Sequence, residues 1–257
     1  MYSSGYKEGY TNKVLLIHDM KDPSNPAPVG HAWFPGQRDG EALSWDSNFV
    51  RQADCHEGHG FGNYVTAAWW DGGIALIDCT DPSAPQIKWR HNPHETHGWP
   101  GCYHTFVVPK GSEFAIVAQE TTTVNCDDPP AFISFYDFRN IESPVLAGTY
   151  MPHDIDPLTM RPREEKWCQT GARYGAHNLW HDMTSEDLLY ICWFNAGLRI
   201  VDWSNPFQAK EVGYYMPAGN SKRACPQSND VFVDRDTGLI YLSDRWGLGL
   251  HVLEFTG

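Results

Sequence analysis

The sequence predicts an all-β protein, and its composition and hydropathy pattern carry that prediction. The 257 residues include 11 Trp, 12 Tyr, 12 Phe, 23 Gly and 18 Pro, a composition typical of short strands joined by tight turns. Apolar and polar residues alternate along many short runs, whereas the three- or four-residue spacing of an amphipathic helix never persists. We therefore expect strands throughout the chain and almost no helix.

A repeat recurs along the chain. Its clearest copies are GGIALIDCTDPSAPQIKW (72–89) and AGLRIVDWSNPFQAKEVGYY (196–215). Each has an alternating apolar run, an acidic residue that ends the run, an Asp-Pro or Asn-Pro turn and a second alternating run, which together predict a β-hairpin. The acidic residues of five copies lie 59, 59, 65 and 52 residues apart: Asp19, Asp78, Asp137, Asp202 and Glu254.

Two further strand-like runs precede four of these acidic residues, for example AHNLWHD and LLYICWFN before Asp202. Four antiparallel strands per repeat form the blade of a β-propeller, in which about 4–8 such sheets surround a central channel. We predict a propeller of about five four-stranded blades in a single domain, residues 1–257. The first blade lacks its innermost strand and the last lacks its outermost strand.

These incomplete blades leave three alternatives. The ends close the ring in an unusual way, another chain supplies the missing strands, or the chain is part of a longer propeller. Unpaired sheet edges normally have to be covered to avoid aggregation. We therefore expect the termini to lie adjacent, or a second copy or a partner chain to cover them.

The runs LRIVD and ALID resemble the LVIVD-repeat β-propeller family, which is named for an apolar-apolar-Val-Asp sequence. As a repeat pattern, the resemblance covers nearly the whole chain. It implies a fold and leaves the reaction open, because a fold does not define a function.

Charge and sequence segments disfavour several classes of partner. The formal net charge is −13, which repels phosphate backbones and anionic lipid headgroups, so we expect no nucleic acid and no membrane as partners. The start MYSSGYKEGY has no apolar signal core, and seven Cys without a C-x-x-C pair indicate neither a zinc knuckle nor a dense disulfide framework. A reducing, cytoplasmic location is the expectation.

Three histidines share one register in the predicted inner strands. Aligning CHEGHGF (55–61), YHTFVVP (103–109), HNLWHD (177–182) and NDVFVD (229–234) brings His56, His104, His177 and Asn229 into line. Blades are related by rotation about the channel, so we expect the three imidazoles around one axis at its mouth. Three His with an open coordination position are typical of reactive metal sites. The sequence thus predicts one zinc, copper or iron ion, unless these His only hydrogen-bond within a polar channel.

Two loops add candidate catalytic residues. The loop RHNPHETHGWPGCYH offers His94, Glu95 and His97 as acid/base groups, and the insertion 151–175 offers Arg173 for an anionic substrate. The insertion is equally well explained as a solvated loop. Less favoured site residues are Glu120, His59 and His181, the last expected in core packing, while Cys55 and Cys102 are either thiolate ligands or small buried residues.

The leading hypothesis is a metal-dependent enzyme acting on a small polar or anionic substrate, with hydrolysis, elimination and oxidation all left open. The alternative is a non-catalytic propeller scaffold that binds a protein or a glycan. The chain has no G-x-S-x-G, no H-E-x-x-H, no glycine-rich phosphate loop and no dinucleotide fingerprint, which disfavours serine hydrolase, zincin, kinase and nicotinamide chemistry.

Overall fold

The computed structural model describes residues 1–47, 50, 53–92, 101–129, 131–156, 158–180 and 187–257. Strands dominate these ranges, and the helices found there are two 3-10 segments, Glu165–Cys168 and Pro206–Gln208. Neither of them is long and apolar enough to cross a membrane. The prediction of an all-β protein is confirmed.

The chain divides into two compact units. The first unit comprises Met1–Val108, Ala115–Val117 and Phe138–Pro144. Its strands are β1 (Tyr2–Tyr6), β2 (Lys13–Asp19), β3 (Ala27–Ala32), β4 (Ala53–Phe61), β5 (Tyr64–Trp70), β6 (Ile74–Asp78), β7 (Gln86–His91) and β8 (Cys102–Val107). The strand β9 (Phe114–Glu120) contributes residues to each unit.

Two antiparallel sheets form the core of the first unit. One has the order β1-β2-β3, and the other pairs β4, β5, β6 and β7 in sequence, with a single bridge from β5 to β8. Alternate residues of β2 and β5, such as Leu15 and Trp69, are fully buried in one cluster between these sheets. The alternation seen in the sequence thus corresponds to the buried face of each strand.

The second unit comprises Pro109–Phe114, Ala118–Asp137 and Val145–Gly257. It contains the hairpin β10 (Ile133–Asp137) and β11 (Val145–Tyr150), and the short pair β12 (Ile155–Asp156) and β13 (Arg161–Pro162). Two three-stranded antiparallel sheets follow: β14 (Leu188–Cys192), β15 (Leu198–Asp202) and β16 (Lys210–Tyr215), then β17 (Ser228–Val233), β18 (Leu239–Asp244) and β19 (Leu250–Glu254). These two sheets share an apolar cluster.

The acidic residues of the repeat end strands, as predicted. Asp19, Asp78, Asp137, Asp202 and Glu254 are the last residues of β2, β6, β10, β15 and β19. At Asp78 the side-chain Oδ1 accepts the backbone N–H of Thr80 at 2.9 Å, and Asp19 and Asp202 each bind the residue two positions on in the same way. This Asx turn offers the backbone an alternative to the sheet ladder and so ends the strand.

The incomplete sheets also match the prediction, with one correction. The first and last sheets each contain three strands within the described residues. In the described part of the predicted inner strand, 177–180, the pairing is not regular. This segment lies along β14 through one bridge, Leu179 to Ile191, and a few backbone hydrogen bonds such as His177 N to Cys192 O. The last two residues of the predicted strand lie outside the described ranges. The five blades, the single domain and the covered edges stay predictions.

Two glycines in outer strands contact the proline turn of the following sheet. A Cβ on Gly30 of β3 would lie 2.0 Å from the carbonyl oxygen of Pro82, and one on Gly148 of β11 would lie 2.2 Å from that of Pro206. No side chain fits at such distances. The repeated glycine of one sheet and the repeated proline turn of the next therefore form a close backbone contact that requires glycine.

A disulfide joins Cys126 to Cys168 in the second unit. No pairing was predicted from the sequence for either residue. The bond ties the segment after β9 to the 3-10 segment Glu165–Cys168 of the 151–175 insertion.

Candidate metal centre

His56 lies at a bulge in β4. Ala53 pairs with Trp70 and Glu57 pairs with Ala68, so three residues of β4 face a single residue of β5. Bulges of this kind redirect a side chain and are common beside functional sites. The ring of Trp70 meets the His56 imidazole edge-on at 5.1 Å, and Trp70 itself has a φ of +44°, an unusual conformation for a bulky residue.

His104 lies on β8 beside His56. The two imidazole centroids are 3.9 Å apart, and His104 is buried. His56 donates a hydrogen bond from Nδ1 to the His104 carbonyl oxygen at 3.2 Å. Burial lowers the pKa of His56, which keeps its imidazole neutral and its Nε2 lone pair available near neutral pH.

Glu57 brings a carboxylate to the same place. Burial raises its pKa, but hydrogen bonds from His59 and Thr105 and the charges of His59 and His104 outweigh that effect and lower the pKa to about 2. The Thr105 hydroxyl has one proton, which Glu57 receives, so Thr105 Oγ1 accepts from His104 Nδ1 at 2.8 Å. His104 thus donates from Nδ1 to a protein oxygen, as His56 does.

These residues fit a metal ion. One ligand atom from each of His56, Glu57 and His104 can be chosen so that all three lie within 4.8 Å of one another. Bonds of about 2.0–2.2 Å to one ion span nearly that separation. Each imidazole is oriented through Nδ1 by an oxygen, the arrangement that fixes the tautomer of metal-binding His.

His177 lies in the second unit and is oriented in the same way. Its Nδ1 donates to the carbonyl oxygen of Asn229 at 2.7 Å, and its ring stacks on Phe194 with centroids 4.7 Å apart. Its Nε2 lies 3.5 Å from Oε1 of Glu120. The shared site of His177 with His56 and His104 stays a prediction.

Arg173, proposed from the sequence to hold a substrate, forms an ion pair. Its Nη1 donates to Glu120 Oε1 at 2.7 Å and to the Thr121 carbonyl oxygen at 3.3 Å. Burial raises the pKa of Glu120, and the charge of Arg173 only partly opposes that shift. Arg173 thus fixes a carboxylate that burial alone would leave protonated more easily.

Several predicted residues are placed away from these clusters or not described. His94, Glu95, His97 and His181 lie outside the described residues. Cys55 is fully buried, and burial raises its thiol pKa well above the usual range, which favours a neutral thiol over a thiolate ligand.

Glu57 was not among the site residues predicted from the sequence, and Glu120 was a less favoured candidate. Glu57 sits inside HEGH, between two His, and that spacing was the available signal. In a regular strand neighbouring side chains point to opposite faces, so Glu57 would not join His56. The bulge interrupts the alternation, so that Glu57 and His56 can both contribute to one cluster.

Solved structures similar to this chain are β-propellers. They include Pseudomonas aeruginosa periplasmic gluconolactonase PpgL (11% identity, TM-score 0.63, 98% of this chain and 61% of that one) and the Myceliophteria thermophila Cps50 (Swd1) β-propeller domain (9%, 0.55, 95% and 64%). Saccharomyces cerevisiae Sqt1 is similar at 12% identity and a TM-score of 0.52, over 96% of this chain and 57% of that one. This chain spans about three fifths of their lengths, and its fold is that of a β-propeller.

The repeat has a family of its own. The LVIVD repeat model matches residues 61–92 and 183–217, which contain the ALID and LRIVD runs. The resemblance stated from the sequence is confirmed for these two segments, which carry LVIVD repeats. No curated protein matches the chain by sequence.

Proposed function

We propose that the chain is a metal-dependent enzyme acting on a small polar or anionic substrate, with His56, His104 and His177 as metal ligands. One observation carries the proposal: each of these imidazoles is hydrogen-bonded through Nδ1 to a protein oxygen. A hydrogen bond from Nδ1 to a protein oxygen is the usual way in which a metal-binding His is oriented, and it recurs in all three rings.

The proposal also assigns roles to Glu57, to Arg173 and to the acid/base candidates that the sequence offers. A bound zinc, copper or iron ion would polarise a substrate oxygen as a Lewis acid. Glu57, with a pKa of about 2, is ionised at neutral pH and offers a carboxylate that is too weak a base to take a proton efficiently. Proton transfer therefore falls to His94, Glu95 or His97, and Arg173 orients the substrate near Glu120.

Hydrolysis is the reaction to test first among hydrolysis, elimination and oxidation. The similar propeller PpgL is called a gluconolactonase, and a sugar lactone is a small polar substrate with a carbonyl oxygen to polarise. Its hydrolysis adds water across the ring ester and yields the open hydroxy acid, so no oxidant is required.

The test uses protein purified without a His-tag, analysed for bound metal and assayed with a sugar lactone. We expect about one transition-metal ion per chain, lost in His104→Ala and in His177→Ala but kept in His18→Ala, a matched His of β2 outside the cluster. Metal-free protein after incubation with zinc, copper and iron would contradict the proposal and favour the scaffold. Metal loss in His104→Ala but not in His177→Ala would remove His177 from the site.

A further inference from the structure

Two arginine side chains of the second unit lie beside one buried aromatic ring. The guanidinium carbon of Arg173 is 5.6 Å from the centre of the Phe194 ring, and that of Arg245 is 5.8 Å from it. Phe194 is fully buried, whereas the Arg173 side chain is 27% exposed and Arg245 is exposed. The two cations therefore border one apolar surface, and both reach solvent.

Gln227 fixes the backbone positions of both arginines. Its side chain accepts the Arg173 N–H at 3.2 Å and donates to the Arg173 carbonyl oxygen at 3.0 Å. Its own carbonyl oxygen accepts the Arg245 N–H at 3.0 Å. Because Gln227 is buried, one residue in the interior sets the positions from which the two arginine side chains extend.

Phe194 has an unusual backbone conformation. Its φ is +34°, in the left-handed region that bulky residues rarely adopt. Its carbonyl oxygen accepts the N–H groups of Gly197 at 3.2 Å and Ser228 at 3.0 Å, which hold the residue in place. Backbone strain of this kind is concentrated at ligand-binding sites, where the surrounding structure maintains it.

The charges of this group do not balance. Arg173 Nη1 donates to Glu120 Oε1 and to the Thr121 carbonyl oxygen, which leaves Nε and Nη2 as further donors. Burial raises the pKa of Glu120, and the charges of Arg173 and Arg245 both oppose that shift, so Arg245 lies near the same carboxylate. Within the described part of the chain, the Arg245 guanidinium has no hydrogen bond or ion pair. Two guanidinium groups thus share one carboxylate, an excess of one positive charge in a chain of formal net charge −13.

We infer that Arg245, together with Arg173, binds the carboxylate of a small hydroxy acid. Guanidinium groups present planar sets of N–H donors that match the two oxygens of a carboxylate. A singly charged carboxylate neutralises the excess positive charge, whereas a doubly charged phosphate would leave a negative charge beside the buried ring. The inference rests on the proposed function for its ligand, because a hydroxy acid is the product of lactone hydrolysis, and it adds Arg245 to the binding residues.

The test is a calorimetric titration of the untagged chain, as purified, with gluconate. Sorbitol, which replaces the carboxylate by a neutral alcohol, and inorganic phosphate are the comparison ligands. We expect gluconate to bind more tightly than either. Arg245→Met keeps the apolar stem and removes the charge, and it should weaken gluconate binding by about 10–100-fold, the effect of losing a hydrogen bond between charged groups. Unchanged gluconate binding in Arg245→Met, or phosphate or sorbitol binding as tight as that of gluconate, would overturn the inference.

Arg161→Met is the matched control. Arg161 is an exposed arginine of the same unit, in β13, and its replacement changes the net charge of the chain by the same amount. We expect gluconate binding equal to that of the wild type. A loss as large as that in Arg245→Met would show that the overall charge attracts the anion, and the inference would fail.

The metal content of the same sample separates this inference from the proposed function. A wild-type chain that contains its metal ion but binds no gluconate overturns the inference and leaves the metal site standing. A chain that binds gluconate through Arg245 but takes up no metal supports the inference and contradicts the metal-dependent enzyme.

A second measurement keeps the inference testable if Arg245→Met does not fold. In a crystal structure of the wild-type chain with gluconate, carboxylate oxygens within about 2.7–2.9 Å of guanidinium nitrogens of Arg245 and Arg173 support it. Gluconate bound elsewhere, or not bound, overturns it.

Discussion

Two Arg–Glu pairs of the second unit, each with a buried carboxylate, differ in the hydrogen bonds that the carboxylate oxygens accept. Arg199 approaches both oxygens of Glu211 at 3.4 Å, and Glu211 Oε2 also accepts the Tyr150 hydroxyl at 2.6 Å. Arg173 approaches one oxygen of Glu120 at 2.7 Å, and that same oxygen faces His177. The exposed fractions of the two Arg side chains are 8% and 27%.

This difference indicates that Arg199–Glu211 is a structural pair, whereas Arg173–Glu120 is suited to a role in a functional site. Glu211 has hydrogen-bond donors from β11 and β15, so its network connects strands and satisfies its charge. Glu120 accepts from Arg173 at Oε1, and the same oxygen lies 3.5 Å from His177 Nε2. A buried charge with several hydrogen-bond donors stabilises one arrangement of the strands that supply them.

The largest effect is expected from Arg199→Met. It leaves the buried Glu211 carboxylate without its cation, which costs about 3–5 kcal/mol of unfolding free energy. Arg173→Met should cost less, because Arg173 is partly solvated and burial already favours protonation of Glu120. Urea unfolding of both variants measures the difference. Equal losses, or a larger loss in Arg173→Met, would break the comparison.

A smaller effect is expected from the double variant Cys126→Ser/Cys168→Ser. The disulfide closes a sequence separation of 42 residues, for which loss of the cross-link costs about 2–4 kcal/mol. A thiol assay of the denatured chain should find five thiols without reductant and seven after reduction. Seven thiols in protein trapped directly from cells would instead agree with the predicted reducing, cytoplasmic location.

The smallest effect is expected at an exposed carboxylate, Asp202→Ala. The side chain accepts the Ser204 N–H at 3.0 Å, a bond worth about 0.5–1 kcal/mol. Hydrogen bonds from Ser204 lower the pKa of Asp202, so this stabilisation is present above the carboxyl's unfolded-state pKa and is lost as pH falls through the folded one. The stability difference between wild type and variant should therefore begin to shrink as pH falls below about 4 and disappear below the folded-state pKa. A difference that persists there contradicts the Asx-turn explanation.

Much of the fold could be predicted because its signals are local. An alternating run followed by Asp-Pro or Asn-Pro contains a strand and its end within a few residues, and the Asp side chain itself makes the turn. The register of His56 and His104 followed from the same alignment. The irregular pairing at 177–180 was not predictable, because the apolar pattern of this segment matches that of a regular strand.

The site could be predicted only in part, because its other members depend on long-range geometry. Glu57 joins His56 through a bulge, which the alternating pattern cannot indicate. The importance of Glu120 depends on its contacts with Arg173 and His177, which lie more than 50 residues away along the chain. Cys126 and Cys168 pair at a separation that no motif marks.

The contact between an outer-strand glycine and the next proline turn bears on how such a chain can change its length. The β14–β16 sheet has the proline turn, in which Pro206 lies against Gly148 of the preceding sheet. It also has an outer-strand glycine, Gly213, which contacts the Phe255 ring of the following sheet rather than a proline turn. A gene duplication of this segment would copy both contact surfaces, the proline turn and the outer-strand glycine. The β4–β7 sheet has Pro82 but no glycine in β7, so a copy of it would lack one of them. Duplication of a whole sheet is thus easier for β14–β16 than for β4–β7.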